Sequence, residues 1–97
     1  MSQPLADDAI HAALKNLPGW SLESNKLNKT FKFHHFKEAM SFLVRVAFEA
    51  EALNHHPEIH NVYSTVTLSL STHDAGDKVT QKDLDLAQRV EHLNWLK

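Results

Sequence analysis

The 97-residue chain has no cysteine. That absence excludes a disulfide framework, a thiolate nucleophile and any cysteine-bound zinc or iron-sulfur centre. Glycine is almost as scarce, with only Gly19 and Gly76. There is accordingly no glycine-rich loop to cradle a phosphate and no G-x-S-x-G turn to carry a nucleophilic serine. No stretch approaches the roughly 18 uninterrupted apolar residues of a membrane-spanning helix. A formal net charge of -2 lacks the basic excess of a direct nucleic-acid binder. Neither a membrane nor nucleic acid is therefore an expected partner. Asp7 and Asp8 lie where a secretory signal would have a basic start and an apolar run, so the reading is cytoplasmic. No repeat, linker or low-complexity segment interrupts the chain, and its length suits one domain spanning 1–97. A chain of this size buries roughly two thirds of its unfolded surface, a modest core that self-association would supplement.

What is present is strongly patterned. Ala9, Ile10, Ala13, Leu14 and Leu17 recur at helical spacing after Asp7-Asp8, and Pro18-Gly19 closes that segment. Trp20 and Leu22 alternate with polar neighbours, Ser24-Asn25 has turn chemistry, and Leu27, Phe31 and Phe33 follow, which predicts a hairpin. Phe36, Met40, Leu43, Ala47 and Ala50 form a helical stripe with Lys37, Glu38, Arg45, Glu49 and Glu51 off it, and the helix must end before Pro57. From Glu58 to Thr72 the run is β-branched and alternating, and divides into two strands around Ser64. Residues 73–78 read as a loop. Thr80 with Asp83 three residues on reads as an N-cap with an acidic first turn, ahead of Leu84, Ala87, Val90 and Leu93. The sum is an α+β fold of order α-β-β-α-β-β-α, a four-stranded antiparallel sheet with three helices on one face.

Eight histidines are the chemical content of this chain, and His55, His56 and His73 concentrate near predicted element ends. Imidazole exchanges protons near neutral pH without a cofactor. Three uses compete for these residues. Histidines at helix ends can simply cap carbonyls or lie on the surface. A metal site would draw on His60 as well, but Pro57 breaks the helical i, i+4 relation between His56 and His60, and no HExxH or carboxylate pair completes a ligand set. General acid/base catalysis needs only the imidazoles and suits an elimination or isomerisation. His34-His35, between Phe33 and Phe36, reads as structural.

Glu51, His55-His56-Pro57-Glu58, Asn61-Val62-Tyr63, Val66, Leu68, Leu70, Thr72-His73-Asp74, and Asp83 with Leu86-Ala87 together resemble the pterin-4a-carbinolamine dehydratases. The resemblance runs from about Phe36 to Val90, and Trp20, Phe31 and Phe33 extend it more weakly into the first half. It implies dehydration of 4a-hydroxytetrahydrobiopterin, or a bacterial equivalent, to the quinonoid dihydropterin, with no cofactor and no metal. It implies a functional link to aromatic amino acid hydroxylases, whose cofactor is thereby recycled. His55 and His73 correspond to the acid/base pair and His56 to a residue holding the pterin. Pro57, Thr72, Asp74 and Ala75 fall in the pterin-contacting segments, and Glu51 and Asp83 are supporting candidates. Asn54 stands where animal members have an acid, and Ile59 where many members have tryptophan. The family also supplies a rival role, as a dimerisation cofactor or an assembly or regulatory protein. A homodimer or homotetramer is expected, using an apolar stripe on the long helix or on the third helix ending in Trp95-Leu96.

Overall fold

A computed structural model describes residues 3–93, so Trp95-Leu96 lie outside the described residues. The elements are α1 (Asp7–Leu14), β1 (Ser21–Glu23), β2 (Lys26–Lys32), α2 (Phe36–Leu53), β3 (Glu58–Val62), β4 (Thr65–Leu70), a 3-10 turn (His73–Ala75) and α3 (Gln81–Leu93). This is the expected α-β-β-α-β-β-α order, and the strands form one antiparallel sheet ordered β1-β2-β4-β3. α2 therefore carries the chain from a central strand to the edge strand β3, and β4 returns to pair with β2.

Both hairpins turn in two residues. Ser24 and Asn25 take φ of 52° and 63°, the left-handed pair that a tight turn matched to strand twist requires. At the second turn Tyr63 has φ 53°, and the Asn61 side-chain amide donates to the carbonyls of Tyr63 and Thr65, each at 3.1 Å. Pairing Leu27 with Leu70, Phe31 with Val66 and Ile59 with Leu68 puts apolar residues on one face. The other face is polar: Thr30 Oγ1 meets Thr67 Oγ1 at 3.0 Å, and Ser69 donates to Asn28 Oδ1 at 2.5 Å. Ile10 of α1, Phe42 and Val46 of α2, and Leu86 and Val90 of α3 join the apolar sheet face in one buried cluster. The Phe42 ring lies 4.7 Å from Phe31 and 5.1 Å from Phe33, centroid to centroid.

Two details depart from the sequence reading. α1 ends at Leu14, and Leu17 reaches the core from the turn that follows. α2 buries Ala39, Phe42, Val46 and Ala50, not the stripe of Phe36, Met40, Leu43 and Ala47; Phe36 is 55% exposed. The helix has apolar residues around more than half of its girth, so periodicity alone cannot say which strip meets the sheet. The ring contacts of Phe42 decide it.

α2 begins where the Glu38 carboxylate accepts the backbone N–H groups of His34 and His35, at 2.9 and 3.0 Å. It ends in a Schellman motif. Asn54 is left-handed (φ 51°, ψ 44°), its N–H donates to Glu51 O at 3.0 Å, and the His55 N–H donates to Ala50 O at 2.9 Å. Asparagine is among the few non-glycine residues that adopt this conformation readily. The helix thus stops ahead of Pro57, and the reversal at Asn54 sends His55 toward α3.

Candidate active site

The first turn of α3 organises the site. Thr80 and Asp83 form the reciprocal cap read from their spacing: the Thr80 N–H donates to Asp83 Oδ2 at 2.9 Å, and the Lys82 N–H donates to Thr80 Oγ1 at 3.2 Å. Asp83 does more than cap, because it is fully buried and receives two further contacts. Thr72 Oγ1, just past the end of β4, donates to Oδ2 at 2.9 Å, and His55 Nε2 lies 2.5 Å from Oδ1. Thr72 also meets Thr80 hydroxyl to hydroxyl at 2.6 Å. Among the described residues no fully buried side-chain nitrogen or oxygen lacks a partner. The cluster is thus saturated, as a buried polar group must be if its desolvation is to be offset.

Thr72 leads directly into the 3-10 turn. Its N–H donates to Lys78 O at 2.9 Å, and its carbonyl accepts the N–H groups of Ala75 and Asp77 at 3.1 Å each. Gly76 and Asp77 are both left-handed, at φ 74° and 60°, which closes the loop upon itself. His73 and Asp74 are exposed on this loop and Ala75 is half-buried. His73 Nδ1 lies 3.1 Å from Asp77 Oδ1.

His56, on the far side of Asn54, has Nε2 2.8 Å from Glu51 Oε1. With Ala47, Ala50, Pro57 and Ile59 these two side chains line an open hollow of about 250 Å³ between the end of α2 and the start of β3. His60 takes no part; it pairs with Thr67 in the sheet register.

The three histidines therefore occupy different environments. The His55 side chain is 10% exposed and held by a buried carboxylate, that of His56 is 62% exposed beside Glu51, and that of His73 is 97% exposed beside Asp77. His55, Thr72 and Asp83 are joined by direct contacts, Glu51 joins His56, and Pro57 lines the same hollow. His73, Asp74 and Ala75 are tied to the cluster through the chain at Thr72. The sequence alone marks Thr80 only as a helix cap and does not single out Asp77, Ala47 or Ala50 for the site. The cap spacing was the available signal for Thr80; its contact with Thr72 is a tertiary fact. An imidazole held by a buried carboxylate can exchange protons, and the mostly apolar hollow that His56 lines can take a small molecule.

The family model described as pterin 4 alpha carbinolamine dehydratase matches residues 3–93. A protein of Opitutus terrae named for pterin-4-alpha-carbinolamine dehydratase is 59% identical over 87 residues, which cover 90% of each chain. The crystal structure of a transcriptional coactivator/pterin dehydratase from Brucella melitensis superposes with a TM-score of 0.88 at 32% identity, covering 94% of this chain and 98% of that one. A pterin dehydratase-like protein described as a RuBisCO assembly factor in the alpha-carboxysome shares the fold, with a TM-score of 0.63 at 23% identity over 80% of this chain and 89% of its own.

Proposed function

The chain belongs to the pterin 4 alpha carbinolamine dehydratase family, and from that premise we propose that it removes water from 4a-hydroxytetrahydrobiopterin or a related 4a-hydroxytetrahydropterin by histidine acid/base catalysis. The observation that carries the proposal is the 2.5 Å contact between His55 and the buried Asp83. A carboxylate opposite an imidazole fixes the orientation of the ring, as a group that passes protons to a bound molecule requires.

In this reading the 4a C–O bond breaks, the departing oxygen takes a proton from one imidazole and leaves as water, and the N5 proton passes to another. His55 and His73 serve as that pair. His56, above the hollow beside Pro57, holds the pterin, and the loop of Thr72, Asp74 and Ala75 offers backbone groups and a carboxylate to the polar edge of the ring. Glu51 supports His56 and Asp83 supports His55. The product, a quinonoid dihydropterin, needs a separate two-electron reduction before it serves again as the tetrahydropterin cofactor of an aromatic amino acid hydroxylase in the cytoplasm.

The test is the loss of water from chemically generated 4a-hydroxytetrahydropterin, followed by absorbance, with the protein and with His55→Ala and His73→Ala. Strong acceleration that falls at least about tenfold in each variant, about 1.4 kcal/mol of barrier, supports the reaction and the pair. A rate equal to that in buffer overturns it and leaves a scaffold that binds a partner.

That second reading, an assembly or regulatory role, and the expected homodimer or homotetramer draw on one further observation. Phe36, Val44 and Phe48 of α2 and Ile59 of β3 are exposed, and β3 is an edge strand. An apolar patch beside an unpaired edge favours a partner, and a second copy of this chain satisfies it.

A further inference from the structure

The hydrogen-bond directions around Asp83 determine where the protons sit. Thr72 has one hydroxyl hydrogen, and it is given to Asp83 Oδ2. At the 2.6 Å contact between hydroxyls Thr72 must therefore accept, so Thr80 is the donor. Thr80 Oγ1 in turn accepts the Lys82 N–H. The relay runs one way, from the α3 backbone through Thr80 and Thr72 to Asp83. Oδ2 is then filled by two donors, Thr72 Oγ1 and the Thr80 N–H, and Oδ1 alone faces the imidazole. Two acceptors cannot share a 2.5 Å contact, and the Asp83 carboxylate already acts as an acceptor toward two donors, so the proton at this contact is assigned to Nε2. The other nitrogen, Nδ1, has no hydrogen bond among the described residues, on a side chain that is 10% exposed.

We propose that Thr80 is a positioning residue that acts through Thr72 and Asp83 to hold His55 as the Nε2–H tautomer, leaving Nδ1 as the nitrogen that exchanges protons at the site. When Nδ1 takes a proton the ring becomes an imidazolium facing the Asp83 carboxylate, and when it gives the proton up the Nε2–H form returns. The Nε2 proton stays in place throughout. The exchange at Nδ1 rests on the dehydratase reading; the tautomer and the relay do not.

Long-range proton–nitrogen correlation spectra of the histidine side chains test this without substrate. In the unaltered protein His55 should carry its proton on Nε2. In Asp83→Asn the side-chain oxygen must stay with the two donors, so the amide NH₂ turns to the ring and His55 should switch to the Nδ1–H tautomer. Thr80→Val should give a mixture of the two, with kcat reduced about tenfold at little-changed KM, and Thr80→Ser should restore both readouts. An Nδ1–H ring in the unaltered protein overturns the assignment, as does an Asp83→Asn spectrum that keeps Nε2–H. A Thr80→Val variant with unchanged tautomer and kcat overturns the role of Thr80. If that variant fails to fold, Thr80→Cys, whose thiol is a weak donor, replaces it under the same criteria. Should the unaltered protein prove inactive toward the carbinolamine while the spectra behave as stated, the dehydratase reading fails and the relay stands.

Discussion

Trp20 Nε1 donates to Glu91 Oε2 at 2.9 Å across 71 positions of sequence, and the same oxygen receives Lys29 Nζ at 2.8 Å. One carboxylate on α3 thus secures the start of β1 and the middle of β2. Lys29 also reaches Pro18 O at 2.7 Å, and a Cβ on Gly19 (φ 82°) would lie 2.8 Å from Lys29 Cε, so the glycine admits the lysine as well as the turn. Glu91→Ala leaves a largely buried ammonium and an indole N–H short of a partner. The expected loss is about 2 kcal/mol, read as a lower urea midpoint with unchanged slope. Glu91→Gln keeps an acceptor for Trp20 and should lose less.

His55 and His56 are adjacent and should fail differently. His56→Ala removes an exposed ring beside the hollow, so KM should rise several-fold with kcat nearly unchanged, whereas His55→Ala should lower kcat at least about tenfold. Steady-state rates of carbinolamine dehydration separate the two. Equal effects on both parameters in both variants would count against the assigned roles.

Asn54 holds a left-handed backbone that aims His55. Asn54→Val forces a β-branched residue into that conformation, at a cost of about 1–2 kcal/mol, and should depress activity along with stability. Asn54→Gly should fold at least as well as the parent. Thermal unfolding and initial rates measured together test the pair.

Phe48 is 71% exposed on α2, so its removal costs no core packing. Phe48→Asp should leave helix content intact and shift the light-scattering mass toward the monomer at micromolar concentration. A mass unchanged from that of an oligomeric parent would place the association surface elsewhere.

Much of this fold can be read locally. The Ser24-Asn25 turn, the β-branched run from Glu58 to Thr72 and the Thr80/Asp83 start of α3 are governed by neighbours in sequence, and each stands as read. The buried strip of α2 is not local: Phe42 faces inward because Phe31 and Phe33 receive it, and no periodicity within α2 encodes their position. The site divides in the same way. His55, His56 and His73 stand out by chemistry, and a cap at Asp83 stands out by spacing. That Asp83 meets His55 depends on the reversal at Asn54 and on the seating of Thr72, three segments closing on one carboxylate.

Asp83 caps a helix with Oδ2 and holds an imidazole with Oδ1, so the order of α3's first turn and the readiness of His55 are one equilibrium. Fraying that turn frees the Thr80 amide to exchange with solvent deuterium and removes the Thr80 N–H and hydroxyl that seat the carboxylate against the ring. The protection of a single buried backbone amide thereby counts the fraction of molecules with His55 held by its partner.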